Sequence, residues 1–161
     1  MSMKNTYRLL LLVVLSIGAS LAQAGQHGLL KLLDNYIAAW NSHDPDKVVA
    51  YLADEMTYYD PMVGNMKSED EVRKFVKRFV DFSPDYRWVI AGKPMVSKDS
   101  VAFEWHFTGT NTGAVDEKTP ATGKAYDIYG ASIIRFRHGK IVFEGDYWDQ
   151  VGFRKQLGLM Q

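Results

Sequence analysis

The sequence YIAAWNSHDPDKVVAYLADEMTYYDP, residues 36–61, contains a helix end, a second short helix and the first strand of the chain. Apolar residues at helical spacing lead into it: Leu29, Leu33, Tyr36, Ile37 and Trp40. We expect this helix to end near residues 41–43. Asp44 and Pro45 then predict a new helix, because aspartate is a good N-cap and proline suits the first helical position.

The strand that ends this stretch places an aspartate at the end of its apolar side. Met56, Tyr58 and Asp60 alternate with their neighbours and therefore point the same way. A carboxylate in that place contacts solvent, forms a pair with another polar or charged group, or acts as a catalytic group. In the last case desolvation raises its pKa and makes it a proton acceptor near neutral pH. The open alternative is that Asp60, which precedes Pro61, caps a turn.

A third helix and a change of periodicity follow. Ser68 and Glu71 form the Ser-x-x-Glu pattern of a capping box, ahead of an apolar stripe at helical spacing. From Tyr86 onward the period changes to two. The apolar residues Val101, Phe103, Trp105 and Phe107 alternate with Ala102, Glu104, His106 and Thr108. We therefore expect strands here, with one face toward the core.

The C-terminal part is predicted to complete an antiparallel sheet. Residues 109–123 form a long polar loop, and strands at about 124–137 and 140–148 meet in a tight turn at His138-Gly139. A short helix at 151–157 follows, with Asp149 as its N-cap. Helices followed by antiparallel strands favour an α+β fold in which the helices pack on one face of a curved antiparallel sheet.

The length and the N-terminal segment indicate the domain organisation. The 161 residues fit one domain, at 25–161, after a signal peptide at 1–24. An apolar run of about 14 residues and the small-x-small sequence Ala22-Gln23-Ala24 predict a cleaved secretory signal. A bilayer span needs roughly 20 residues, although a retained membrane anchor stays open. We expect an exported protein, periplasmic or secreted, without membrane attachment after cleavage.

The composition excludes several functions. Without Lys4 and Arg8 of the signal, 17 basic residues stand against 19 acidic ones, a net charge of −2. No basic stripe is present, so nucleic-acid binding is not expected. The chain has no cysteine, which excludes a thiol nucleophile, thiolate metal sites and a lipid anchor on cysteine. No metal-ligand, phosphate-binding or nucleophile-elbow motif is present, so no metal ion or cofactor is expected.

Four segments carry a family resemblance over essentially all of the mature chain: YIAAWNSHD (36–44), YLADEMTYYDP (51–61), IIRFRHGKI (133–141) and EGDYWDQVGFRKQLGL (144–159). In order and spacing they resemble the SnoaL-like polyketide cyclase and ketosteroid isomerase group, within the nuclear transport factor 2-like superfamily. The resemblance implies a cone-shaped roll, in which a bent sheet wraps around the first long helix. It also implies an internal apolar cavity that is open at one end.

The resemblance also implies roles for particular residues. Asp60 falls where the steroid isomerases hold the carboxylate that removes a proton next to a carbonyl. Tyr36 falls where they hold the phenol that donates a hydrogen bond to the developing oxyanion, and Trp148 resembles their pocket-lining tryptophan. Their second oxyanion donor, an acid kept protonated by burial, is replaced here by Ser132. A serine hydroxyl is a weaker donor, so rapid steroid isomerisation is not expected.

Asp146 is the second candidate acid, about where the resemblance places the acid/base aspartate of the SnoaL-like cyclases. Alternation on the last strand places Val142, Glu144, Asp146 and Trp148 on one side and Ile141, Phe143 and Tyr147 on the other. Two carboxylates in one apolar cavity push each other's pKa values apart, which provides an acid and a base. Alternatively, Asp146 lies at a wet cone mouth or pairs with Arg154 or Lys155.

The candidate ligand contacts are Trp148, Ser132, Tyr58, Trp40, Glu144 and His106. Trp40 also fits a core position, and Tyr36 fits a core tyrosine whose hydroxyl finds a partner. His106 alternates out of phase with Trp105, which favours a surface or interface position. If a bulge reverses the faces of the sheet, His106 lines the pocket and relays protons.

Three functions stay open. The first is cofactor-free acid/base catalysis, of isomerase, cyclase or dehydratase type, on a small hydrophobic carbonyl-bearing molecule. The second is an exported protein that binds a small hydrophobic ligand in the same cavity without chemistry. The third is an interaction module, in which an outer sheet face with Val101, Phe103 and Trp105 or their neighbours forms a homodimer. Two acids that converge on one apolar pocket favour the enzyme.

Overall fold

Four helices and six strands make up the fold in the computed structural model, which describes residues 25–160. The predicted signal peptide at 1–24 lies outside the described residues. The helices are α1 (25–41), α2 (Pro45–Val49), α3 (Glu69–Phe82) and α4 (Gln150–Gln156). The strands are β1 (Leu52–Asp60), β2 (Gly64–Met66), β3 (Arg87–Val96), β4 (Ser100–Thr110), β5 (Ala125–Arg137) and β6 (Lys140–Trp148). In the described part of the chain, no helix has the length and apolar character needed to cross a bilayer.

The six strands form one curved, unclosed sheet in the order β2-β1-β6-β5-β4-β3. The predicted α+β class and the curved sheet packed against N-terminal helices are confirmed. Neighbouring strands are antiparallel except for β1 and β6, which run in the same direction, so the sheet is mixed. The parallel pair arises because the chain leaves β1, passes through α3 and the β3–β5 meander, and returns beside its starting strand.

Local capping explains where the helices begin. The Asp44 side chain accepts a hydrogen bond from the backbone of Asp46, and Pro45 occupies the first position of α2. Ser68 and Glu71 form the predicted capping box of α3. Asp149 caps α4, as expected. The turn between β5 and β6 also has its predicted form, because His138 and Gly139 both adopt the positive φ angles of a tight hairpin.

The predicted alternation on β6 is wrong at its first residues. Ile141 was expected on the side away from Glu144, but its side chain is buried in the core. The register shifts between the pairs Arg135–Phe143 and Phe136–Ile141, so that Val142 is an extra, bulged residue. A bulge reverses which residues face inward on the strand beyond it.

The concave face of the sheet holds the core, and this corrects the expected interaction surface. Val101, Phe103 and Trp105 are buried inward against the helices, so they are not available to a partner chain. Their neighbours Ala102, Glu104 and His106 occupy the outer face.

The end of α1 is attached directly to the edge strand β3. The side-chain amide of Asn41 donates to the carbonyl oxygen of Trp88 at 2.7 Å and accepts from its backbone N–H at 2.8 Å. Asn41 therefore takes the place of a neighbouring strand at this edge of the sheet. The Tyr86 hydroxyl adds a hydrogen bond to the carbonyl oxygen of Trp40.

We expect Asn41→Ala to lower the free energy of unfolding by about 2 kcal/mol, because two hydrogen bonds are lost and the Trp88 backbone is left without partners. Urea unfolding measures the change. Asn35→Ala is the matched control, since Asn35 is exposed on the same helix and should give a change below about 0.5 kcal/mol. Equal effects of the two substitutions would contradict the role of Asn41.

Candidate functional site

A narrow, largely aromatic pocket lies between the concave face of the sheet, α1, α3 and α4. Its lining residues are Trp40, Tyr58, Asp60, Phe75, Phe79, Trp88, Trp105, Phe107, Ile128, Asp146, Trp148 and Phe153. The empty space is about 440 Å³ including the open mouth, and the enclosed cavity volume is about 40 Å³. The only carboxyl groups that line it are those of Asp60 and Asp146.

Asp60 ends β1 and is held by two donors. Its Oδ1 accepts the backbone N–H of Met62 at 2.7 Å, and its Oδ2 accepts the indole N–H of Trp148 at 2.9 Å. The side chain thus caps the turn after β1, as the alternative interpretation expected, and it also lines the pocket. Burial raises the pKa of Asp60, and the two hydrogen bonds oppose this rise.

Asp146, on β6, is buried deeper and is held by two hydroxyl groups. Ser132, its cross-strand neighbour on β5, donates to Oδ1 at 2.5 Å, and Tyr58 donates to Oδ2 at 2.7 Å. Burial raises the pKa of Asp146 to about 7, and the charge of Asp60 adds to the rise, while both hydroxyl hydrogen bonds lower it. Near neutral pH this group therefore exists in both protonation states.

Glu144 lies two residues before Asp146 and is fully buried behind the pocket wall. The Tyr36 hydroxyl donates to its Oε2 at 2.6 Å, while Oε1 has no hydrogen-bond partner among the described residues. Burial and the nearby charge of Asp146 raise the pKa of Glu144 well above the ordinary value. This burial favours the neutral form of the Glu144 side chain.

The structure brings most of the predicted site residues together, but in two layers. Those that line the pocket are Asp60, Asp146, Tyr58, Trp148 and Trp40. Those behind its wall are Ser132, which is hydrogen-bonded to Trp105 and Asp146, and the pair Tyr36 and Glu144, which are hydrogen-bonded to each other. Since the Tyr36 hydroxyl is directed to Glu144, the expected position of Tyr36 as an oxyanion donor in the pocket is wrong.

His106 is the predicted contact that the structure places outside. It lies on the outer face of β4, where its ring stacks on Tyr129 and its Nε2 meets a carboxylate oxygen of Asp127. No bulge reverses the faces of the sheet at this point, because β4 pairs with β5 in unbroken register. The expectation that His106 lines the pocket is therefore wrong.

Several wall residues were not identified as ligand contacts from the sequence. Phe75 and Phe79 come from α3, and Phe153 comes from α4. Trp105 was assigned to the core, yet its indole N–H donates to Ser132 and its ring reaches the pocket. The only available signal was the apolar stripe of α3, which cannot distinguish a pocket wall from ordinary core.

No set of three histidine, cysteine or acidic side chains is gathered closely enough to hold a metal ion among residues 25–160.

Comparison with known proteins identifies the family and the fold. The family model of the SnoaL-like domain matches residues 33–144. No protein of curated function matches the chain. TsrD from Streptomyces laurentii has a similar structure, with a TM-score of 0.72 and 21% identity, over 84% of this chain and 98% of TsrD.

Two further solved structures share the fold. A candidate polyketide cyclase from Xanthomonas campestris pv. campestris gives a TM-score of 0.72 at 21% identity, covering 83% of this chain and 98% of its own. A candidate SnoaL-like polyketide cyclase from Jannaschia sp. CCS1 gives 0.74 at 11% identity, covering 85% and 96%. At these identities the likeness concerns the fold alone.

Glu144 supplies a test of the buried network. Its raised pKa means that the folded protein keeps a proton which the unfolded chain releases above the ordinary value of 4.5. As the pH rises above about 4.5, the free energy of unfolding of the wild type therefore falls by about 1.4 kcal/mol per pH unit, relative to a protein whose side chain at this position does not titrate. The fall ends when the pH reaches the raised pKa of Glu144 in the folded protein. We expect the free energy of unfolding of Glu144→Gln, relative to that of the wild type, to rise by at least about 1 kcal/mol between pH 5 and pH 8. Urea unfolding at the two pH values measures this change.

Glu55→Gln is the control, since Glu55 is exposed and its substitution should have the same effect at both pH values. If Glu144→Gln destabilised the protein equally at pH 5 and pH 8, Glu144 would be an ionised, paired group rather than a neutral acid.

Proposed function

This chain belongs to the SnoaL-like domain family, and we propose that it catalyses a cofactor-free acid/base reaction on a small hydrophobic carbonyl-bearing molecule. The reaction class is isomerisation, cyclisation or dehydration. The observation that carries the proposal is that two carboxyl groups in different environments, Asp60 and Asp146, line one apolar pocket. Such a difference between two acids provides a base and an acid in one site.

In this proposal Asp60 is the base. Its two hydrogen bonds, from Met62 and Trp148, fix the orientation of the carboxylate and leave lone pairs on both oxygens. The bound molecule presents a C–H next to its carbonyl, and Asp60 removes that proton. Partial desolvation strengthens the carboxylate as a proton acceptor.

Asp146 is the acid that acts on the carbonyl oxygen. In its protonated form it donates a hydrogen bond or the proton itself to the oxygen on which negative charge develops. Tyr58 and Ser132 are positioning residues, because their hydroxyls fix the carboxyl group of Asp146. Asp146 thus acts as the second oxyanion donor, the role that the resemblance gave to the position of Ser132 on the neighbouring strand β5.

The enol or enolate that results has three ordinary outcomes. Return of the proton from Asp60 to another carbon gives an isomer. Attack of the nucleophilic carbon on a second carbonyl of the same molecule closes a ring. Loss of a hydroxyl group at the β carbon, with a proton from an acid, releases water. Each outcome uses only the proton transfers of the two acids.

We expect the protein to exchange the α protons of a β-diketone for deuterium, observed by NMR, with Asp60→Asn and Asp146→Asn each lowering the rate about 10²–10⁴-fold. The wild-type rate should fall as the pH rises through about 7, because Asp146 then loses its proton, and Asp146→Asn should remove this limb. Asp54→Asn is the matched control for Asp60, since Asp54 is exposed on the same strand. Unchanged exchange in both pocket variants would refute the catalytic proposal.

The second candidate function is non-catalytic binding of a small hydrophobic ligand by an exported protein. It is favoured by the predicted signal peptide and by the fact that every oxygen of Asp60 and Asp146 already accepts a hydrogen bond. It predicts that a ligand raises the unfolding temperature and is recovered unchanged, whether or not Asp60 is replaced by Asn.

We also propose that the protein forms a homodimer through the outer face of its sheet. Large apolar side chains are exposed there, namely Val89, Tyr129, Ile133 and Tyr147. Glu104 and Arg135 accompany them on the same face, so a two-fold related copy can place opposite charges together. Exposed apolar patches of this kind are typical of association surfaces.

Light scattering at micromolar concentration should give the mass of a dimer for the wild type and of a monomer for Tyr129→Glu, because the new charge would be buried in the interface. Met160→Glu is the control, since Met160 is exposed on the C-terminal tail, outside this face. A monomeric wild type would refute the dimer.

A further inference from the structure

A second cleft adjoins the pocket on its outer side. The turn after β1, the helices α3 and α4, and the loop between β4 and β5 surround it. Its lining residues are Met62, Val63, Phe75, Arg78, Phe79, Phe82, Val115, Asp116, Gln150, Phe153, Arg154, Leu157 and Leu159. Three of them, Phe75, Phe79 and Phe153, also line the inner pocket, so the two spaces share a wall of aromatic rings.

The inner pocket is much smaller than the outer cleft, and this limits which part of a ligand each can hold. The cavity volume of the inner pocket is about 40 Å³, whereas that of the outer cleft is about 200 Å³. For comparison, an engineered apolar cavity of about 150 Å³ binds benzene. The inner pocket as it stands therefore takes only the reacting end of a ligand. A ring or chain attached to that end has to extend beyond the inner pocket, and the outer cleft is an adjoining space that is large enough for it.

The outer cleft has an apolar floor and cationic rims. Arg78 from α3 and Arg154 from α4 line it, and in the described part of the chain neither belongs to an ion pair within 4.0 Å. Asp116 is the only acid in the lining. Its carboxylate is already engaged by the backbone N–H groups of Lys118 and Thr119, at 2.8 and 2.9 Å, and by the Thr119 hydroxyl.

We propose that the outer cleft binds an amphipathic organic anion, whose apolar body lies on the phenylalanine and leucine floor and whose acidic group is held by Arg78 and Arg154. Guanidinium groups suit carboxylate and related anions, because their N–H donors match the geometry of two acceptor oxygens. This inference rests on the proposed function: the same molecule presents its carbonyl end to Asp60 and Asp146 in the inner pocket. The ligand class is thereby narrowed to acids that carry a carbonyl group.

The test uses two fluorescent probes that differ in charge. 8-Anilinonaphthalene-1-sulfonate is an anion, and N-phenyl-1-naphthylamine is its neutral counterpart with the same aromatic body. Arg78→Gln/Arg154→Gln is compared with Lys98→Gln/Lys155→Gln, a double variant with the same change of net charge at two exposed positions outside the cleft. Lys155 lies on the same helix as Arg154. Unfolding temperatures check that each variant is folded.

We expect the arginine variant to bind the sulfonate about tenfold more weakly and the neutral amine within twofold of wild type, while the lysine variant changes neither. Equal sulfonate binding by all proteins would overturn the anion site and leave the catalytic proposal standing, because the deuterium exchange of a neutral β-diketone does not depend on it. If the lysine variant bound the sulfonate as weakly as the arginine variant does, the effect would be one of general charge, and the anion site would also be overturned. Failure of the wild type to bind either probe would overturn the anion site, while the catalytic proposal would still be decided by the deuterium exchange.

Discussion

The need to satisfy buried carboxyl groups governs the interior of this protein. Glu144 and Asp146 project from one strand into an apolar space, where an unpartnered charge is costly. Three hydroxyls reach them, from Tyr36 on α1, Tyr58 on β1 and Ser132 on β5. These contacts therefore join the first helix, the first strand and the middle of the sheet, and the proposed chemistry of the pocket relies on the same contacts.

Depth of burial separates the three acids. Glu144 lies behind the wall with a pKa raised well above the ordinary value, Asp146 lies at the wall with a pKa of about 7, and Asp60 lies at the end of β1 with a rise opposed by hydrogen bonds. Two aspartates in the pocket and one glutamate behind its wall thus have three different proton affinities. The cause is the balance between desolvation and donated hydrogen bonds at each position.

The proposed recognition of a ligand and the proposed chemistry occupy adjoining spaces. The inner pocket is small and contains the acids, whereas the outer cleft is larger and has two arginines on its rim. The aromatic rings of Phe75, Phe79 and Phe153 belong to both. They contribute to the burial that raises the pKa of Asp146.

The sequence by itself determined what depends on near neighbours. Caps such as Asp44 and Ser68, the helical and alternating periods, and Asp60 at the end of its strand were all predicted, because each depends on residues only a few positions apart. Only the tertiary structure decided that Tyr36 donates to Glu144, 108 positions away, and that a bulge turns Ile141 inward. Those outcomes follow from strand register and from the demand of buried polar groups for partners, which are set by packing across the whole sheet.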